Sequence, residues 1–320
     1  MTPFYEPAGG FCGDFIPYFH QGVYYLFYLH GQETCDLNLA TTTDFVRFEE
    51  RGTVLRKGGD NDQDRSIGTG CIIEKEGRFY CYYTGINPGR RSMPGGFEQV
   101  LLRAASDDLV HWAKDPDWSL VPVASRYRGD EAWRDPHIFR REETGQFWMV
   151  LTAQLQDGPA PDGAAKRRTG LGCAALLVSD DLETWTAMDP VLAPGWFDAP
   201  ECPDLFRIGD WWYLTFSEYR DLWTMHYRMA RSPLGPWLVP ADDRLDGRAF
   251  YAAKTVADGE RRMLVGWTAH KNQDKDDGAY EWGGCLTVHR IGQRPDGTLT
   301  MSVPAGIDAA FDRVLPLASA

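Results

Sequence analysis

One short segment recurs along this chain, and an internal repeat restricts a fold more than any other sequence feature. It ends in Asp, a hydrophobic residue, two variable residues and an aromatic. The copies are Thr43-Asp44-Phe45-Val46-Arg47-Phe48, Asp107-Asp108-Leu109-Val110-His111-Trp112 and Asp180-Asp181-Leu182-Glu183-Thr184-Trp185. Ser232-Pro233-Leu234-Gly235-Pro236-Trp237 is a weaker copy. Each follows a short β-type run: 37–40, 100–105, 174–178 and 225–230. Asp bonds its own backbone and tolerates tight dihedrals, so the acidic pair predicts a turn. The aromatic is expected to open the next strand.

A second repeat is a hairpin rich in Tyr, Phe and Trp. It covers 16–28, 71–83, 137–151, 205–216 and 251–267, each around a Gly-containing polar turn such as His20-Gln21-Gly22. Five hairpins, each followed by further strands at a spacing of about 50–66 residues, predict an all-β five-bladed propeller of four-stranded blades. No 3.6-period stretch competes. The Gly- and Pro-rich stretches 85–99 and 156–169 are read as surface loops. No interdomain linker is visible, so residues 1–320 are expected to form a single catalytic propeller domain.

The net charge of −13 argues against nucleic-acid partners and anionic membrane surfaces. No apolar run reaches the ~20 residues of a membrane span, and residues 1–6 carry no leader-like pattern. Seven cysteines without a C-x-x-C sit mostly in apolar runs. They predict a reducing, cytoplasmic setting with no disulfide framework.

The innermost strands of a propeller surround one axis. Three of the five expected here begin near an acid: Asp14 in Cys12-Gly13-Asp14-Phe15, Asp135 in Trp133-Arg134-Asp135-Pro136, and Glu201 in Pro200-Glu201-Cys202-Pro203-Asp204. Glycosidic cleavage needs two carboxyl groups across the bond, and a third can hold sugar hydroxyls. Any single acid is more often a strand cap or an ion-pair partner; three in phase with a repeat are read as a site. Cys202 and Pro203 give Glu201 an apolar, donor-poor neighbourhood that suits an acid/base. Arg134 beside Asp135 suits that acid to holding hydroxyls. Trp196, Trp211, Trp212, Trp223 and Trp282 are able to stack on sugar. Trp196 and Trp282 are favoured because both are read as lying in turns near acid-bearing strands.

These residues resemble glycoside hydrolase family 32, the invertase, inulinase and levanase family. Arg134-Asp135-Pro136 resembles its Arg-Asp-Pro motif, and Glu201-Cys202-Pro203-Asp204-Leu205-Phe206 its Glu-Cys-Pro motif. Residues 82–85, 250–255, 261–267, 282–284 and 286–287 resemble segments of its second and fifth blades. The resemblance implies retaining cleavage of a β-fructofuranoside or related furanoside. Asp14 would be nucleophile, Glu201 acid/base and Asp135 transition-state stabiliser. Arg134, Cys202, Tyr251 and Lys254 would join Trp282 and Trp196 on the substrate side. It implies a small carbohydrate substrate and no cofactor or metal.

Two departures stand out. The family's Trp-x-Asn-Asp-Pro-Asn-Gly is here Phe11-Cys12-Gly13-Asp14-Phe15-Ile16-Pro17, and its Phe-Ser-Gly-Ser is Ile67-Gly68-Thr69-Gly70. Both flank the sugar site and bear on specificity. The family's C-terminal β-sandwich is expected to be missing, with self-association of the chain covering the exposed face. Asp60-Asn61-Asp62-Gln63-Asp64 lacks the Gly and Glu of a calcium loop. Gly170-Leu171-Gly172 leads into a strand, not the helix a dinucleotide motif needs. Two readings stay open: an inverting arabinanase- or xylosidase-type enzyme with Asp14 as general base, and a carbohydrate-binding propeller without catalysis.

Overall fold

The computed structural model describes residues 5–7, 11–123, 125–129, 132–156, 170–218 and 223–310. Most of the loop expected at 156–169 lies outside them. Five four-stranded antiparallel sheets follow one another along the chain. Blade one holds β1 (Cys12–His20), β2 (Val23–His30), β3 (Asp36–Thr42) and β4 (Glu49–Leu55). Blade two holds β5 (Ser66–Lys75), β6 (Arg78–Ile86), β7 (Gln99–Ser106) and β8 (Ala113–Leu120). Blade three holds β9 (Trp133–Arg140), β10 (Phe147–Gln154), β11 (Gly172–Ser179) and β12 (Thr186–Ala187). Blade four holds β13 (Glu201–Ile208), β14 (Trp211–Glu218), β15 (Thr224–Ala230) and β16 (Arg244–Leu245). Blade five holds β17 (Phe250–Ala257), β18 (Arg262–Lys271), β19 (Tyr280–Gln293) and β20 (Leu299–Ser302). The first strands touch in a closed circle: β1 with β5, β5 with β9, β9 with β13, β13 with β17, and β17 with β1. This is the predicted five-bladed propeller.

The repeated turn has a definite mechanism. In blade one, Thr42 Oγ1 accepts the Phe45 N–H at 2.9 Å, and Asp44 Oδ1 accepts those of Val46 and Arg47 at 2.8 and 2.9 Å. Ser106 with Asp108, and Ser179 with Asp181, repeat this pattern in blades two and three. The bonds hold Phe45, Leu109 and Leu182 at positive φ (59°, 67° and 68°) while burying their side chains. The fourth copy differs. It has no Asp, Gly235 takes the positive φ, and Trp237 lies well before β16 instead of opening it.

Apolar side chains collect between blades. Five buried clusters lie at the five junctions, for example Phe27, Leu39 and Ile67 between blades one and two, and Leu205, Trp212 and Val150 between three and four. A Leu→Ala change in such a cluster costs about 2–5 kcal/mol, so each junction is a substantial part of the stability.

Every innermost strand breaks its ladder at the same level. The register shifts fall between Gly13 and Ile16, Gly68 and Gly70, Glu201 and Asp204, and Tyr251 and Lys254. In blade three they fall between Arg134 and His137, opposite Thr152 and Val150. Asp14, Asp135, Cys202 and Ala252 carry positive φ there (47°, 59°, 49° and 48°). A bulge re-aims a side chain, and left-handed non-glycine backbone concentrates at functional sites. In β5 the same break needs Gly70, where a Cβ would stand 1.8 Å from the Tyr82 carbonyl oxygen.

Candidate active site

The bulges bring Asp14, Asp135 and Glu201 to one end of the ring, but not at equivalent positions. Glu201 aligns with Gly13, Arg134 and Tyr251, which are paired residues before the bulge. Cys202 is the counterpart of Asp14 and Asp135. The expected phase is therefore corrected by one residue, because Cys202 takes the left-handed position in β13.

Asp14 is partly exposed, and its carboxylate is held by two indoles of blade five. Trp267 Nε1 donates to Oδ1 at 3.0 Å and Trp282 Nε1 to Oδ2 at 3.3 Å. Burial, and then the nearby Asp135 and Glu201 carboxylates, push its pKa up to about 7 against the pull of the two indoles. A side chain at Gly13 would meet the Trp282 ring at 3.0 Å, so the glycine lets that ring reach Asp14. Trp282 lies within β19, not in a turn.

Asp135 is buried. Its Oδ2 accepts from Thr152 Oγ1 at 2.9 Å and from the Cys202 N–H at 3.1 Å, and its own N–H donates to Thr84 Oγ1 at 3.0 Å. Arg134 Nε is 3.5 Å away.

Glu201 is not donor-poor. Arg134 Nη2 donates to Oε1 at 2.5 Å, and the Tyr251 hydroxyl donates to Oε2. The expected surroundings are corrected because both donors come from neighbouring blades rather than from the chain beside Glu201. Burial alone would lower the Arg134 pKa; the Glu201 and Asp135 carboxylates outweigh it and keep the guanidinium charged. Burial and Glu201 push the Tyr251 phenol far up, so it stays a donor.

The other candidates are more dispersed. Cys202 contributes its backbone N–H, while its thiol is buried in the core between blades one and five. Lys254 is buried deeper in the channel, where its ammonium donates to the Gly70 carbonyl and, at 3.2 Å, to Thr69 Oγ1. Trp196 lies in the segment leading to β13 and is 65% exposed, and among the described residues no contact ties it to the acids.

Trp267 was not singled out as a site residue, yet it makes the shorter bond to Asp14. Its ring also packs 5.6 Å from Tyr251 and 5.8 Å from Trp223, so these rings form an aromatic wall beside Asp14 and Glu201. A cavity of about 430 Å³ lined by His137, Arg141, Phe206, Trp212 and Arg262 holds none of the three acids. The ring end thus presents one carboxylate fixed by neutral donors, one held by a cation and a phenol, and a buried third held by Thr152 and the Cys202 N–H. That arrangement can attack, donate a proton and hold hydroxyls.

Residues 6–294 match the family model described as the glycosyl hydrolases family 32 N-terminal domain. The chain belongs to glycosyl hydrolase family 32. Sucrose-6-phosphate hydrolase of Zymomonas mobilis is 25% identical, covering 89% of this chain and 57% of that protein. Raffinose invertase of Escherichia coli is 26% identical, covering 97% and 66%. The chain spans a little over half to two thirds of the length of these two relatives. Fructan 1-exohydrolase IIa of Cichorium intybus superposes with a TM-score of 0.74 at 19% identity, covering 96% of this chain and 61% of that one, a likeness of fold.

Proposed function

We propose that this family 32 chain releases the terminal β-fructofuranosyl unit of a small carbohydrate by double displacement. The observation that carries the reading is the contrast between the acids. Among the described residues the Asp14 carboxylate is gripped by neutral indoles, whereas Glu201 is positioned by Arg134 and Tyr251. An Asp14 oxygen forms a bond to the anomeric carbon as the bond to the leaving oxygen breaks and Glu201 gives that oxygen its proton. Water then attacks the same carbon, returns a proton to Glu201 and displaces Asp14. Asp135 holds sugar hydroxyls through the oxygen not facing Thr152 and Cys202. The names of two relatives, a sucrose-6-phosphate hydrolase and a raffinose invertase, support a small fructose-ended saccharide or its phosphate as the class of substrate. Seven free thiols support a reducing, cytoplasmic setting, and no helix among the described residues is long and apolar enough to cross a membrane.

The test is product release from sucrose, sucrose 6-phosphate, inulin, levan, an aryl β-fructofuranoside and an aryl α-arabinofuranoside, run in aqueous methanol. Free fructose together with methyl β-fructofuranoside is expected. Methyl fructoside of inverted configuration would sink the double displacement. Release of arabinose alone would sink the fructosyl assignment. Ligand binding without turnover by wild type would replace catalysis with a sugar-binding role.

A further inference from the structure

Outside the acid cluster, one group of side chains gathers metal-ligand atoms among the described residues: Glu6, His270 and Cys285. They come from the segment before β1, from β18 and from β19. Cys285 Sγ lies 3.5 Å from His270 Nε2 and 3.8 Å from Glu6 Oε2, and His270 Nε2 lies 4.0 Å from Glu6 Oε1. A tetrahedral ion with a sulfur bond of about 2.3 Å and nitrogen or oxygen bonds of about 2.0–2.2 Å separates its ligand atoms by roughly 3.4–3.6 Å. The thiol and imidazole already stand at that spacing, and Glu6, which turns Oε2 to the thiol and Oε1 to the imidazole, needs a shift of about half an ångström to complete the triangle.

We propose that Glu6, His270 and Cys285 bind one divalent transition ion of the zinc type, with the fourth position open to solvent. Thiolate with imidazole selects such ions over magnesium and calcium. Entry is open, since the His270 and Glu6 side chains are 34% and 43% exposed. The six other cysteines are buried.

The site has a mechanical role. Next to it, Tyr5 and Leu286 form an antiparallel bridge, with the Leu286 N–H donating to the Tyr5 carbonyl at 2.9 Å. The ion fastens the segment carrying Glu6 to β19, the strand that sends Trp282 to Asp14.

The experiment titrates Co²⁺ into the full chain after reduction and chelator treatment. One equivalent is expected to bind with a near-ultraviolet thiolate-to-cobalt band, and Zn²⁺ is expected to abolish it. Cys285→Ser should remove the band. His270→Ala should weaken binding at least tenfold, since loss of an outer-shell partner alone costs about 10–100-fold. Absence of the band in wild type overturns the proposal, as does a band undiminished in Cys285→Ser. If either variant fails to fold by circular dichroism, alkylation of wild type decides. Zn²⁺ should slow modification of Cys285, and equal rates with and without it overturn the site.

Discussion

The guanidinium of Arg134 stands 2.5 Å from the Glu201 carboxylate, across the junction between blades three and four. This contact fixes the orientation of one Glu201 oxygen while Tyr251 fixes the other. Lysine offers a point charge in place of a planar fork. Arg134→Lys is expected to lower kcat/KM about 10–100-fold with the fold intact, and Arg134→Gln to lower it further. Steady-state kinetics on the best substrate check this. Unchanged kinetics in Arg134→Lys would leave the arginine a purely structural ion pair.

Asp14 ordinarily titrates near 3.8 and in the fold near 7. Between these values the folded chain holds a proton that the unfolded chain releases, so this group lowers stability progressively as pH rises from about 4 to about 7. Asp14→Asn removes that cost and keeps one acceptor oxygen for the indoles. Its stability relative to wild type should increase across this pH window and level off above it. Asp14→Ala leaves both indole N–H groups without their acceptor and should fall about 1–2 kcal/mol below Asp14→Asn. Both should lose activity on the order of 10⁴-fold or more. Urea unfolding at a series of pH values checks the sign; a flat difference contradicts it.

Trp267 holds the Asp14 pKa down through its 3.0 Å bond. Trp267→Phe keeps a ring and loses the donor. The acid limb of kcat/KM should move about one unit to higher pH, as expected for a hydrogen bond of about 1.4 kcal/mol. Trp282→Phe, at 3.3 Å, should move it less. A uniform loss of activity with the midpoint unchanged would reduce Trp267 to packing.

The repeated turns offer a prediction away from chemistry. Backbone N–H groups, with the His111 ring in the first case, hold Asp108 and Asp181 below the usual carboxylate range. Their contribution is present above the unfolded value and is lost as pH falls through the folded one. Asp108→Ala and Asp181→Ala should each cost about 1 kcal/mol at pH 7, in the range of other caps. That cost should narrow as pH drops from about 5 toward 2. A cost that stays constant would mean that it comes from packing.

The blades were legible in sequence because the Asp turns and aromatic hairpins are local features that depend on residues three to twelve positions apart. The candidate acids Asp14, Asp135 and Glu201 could be singled out for the same reason: each sits in a distinctive short run. Their partners were not. Arg134 was read beside Asp135 because they are consecutive, yet its guanidinium crosses to Glu201. Trp267 and Trp282 reach Asp14 from the far end of the chain. Lys254 sits in a run that resembles a family motif, but a bulge turns its ammonium toward Gly70. The one-residue offset of Glu201 is a backbone matter, set by Cys202 at φ 49°. His270 and Cys285 meet within the β18–β19 pair of blade five, but Glu6 reaches them from the opposite end of the chain, so the three share no sequence spacing.

The join between the first and last blades has a consequence for the order of events in synthesis. Each four-stranded sheet is a continuous stretch of chain, and among the described residues the N-terminal segment meets the last blade through the Tyr5–Leu286 bridge. The nucleophile of the proposed reaction is made early, but the indoles that orient it emerge some 250 residues later. A nascent chain can therefore complete four blades and still lack a working centre. On the proposed reaction, onset of turnover would therefore serve as a clock for the docking of blade five and closure of the circle.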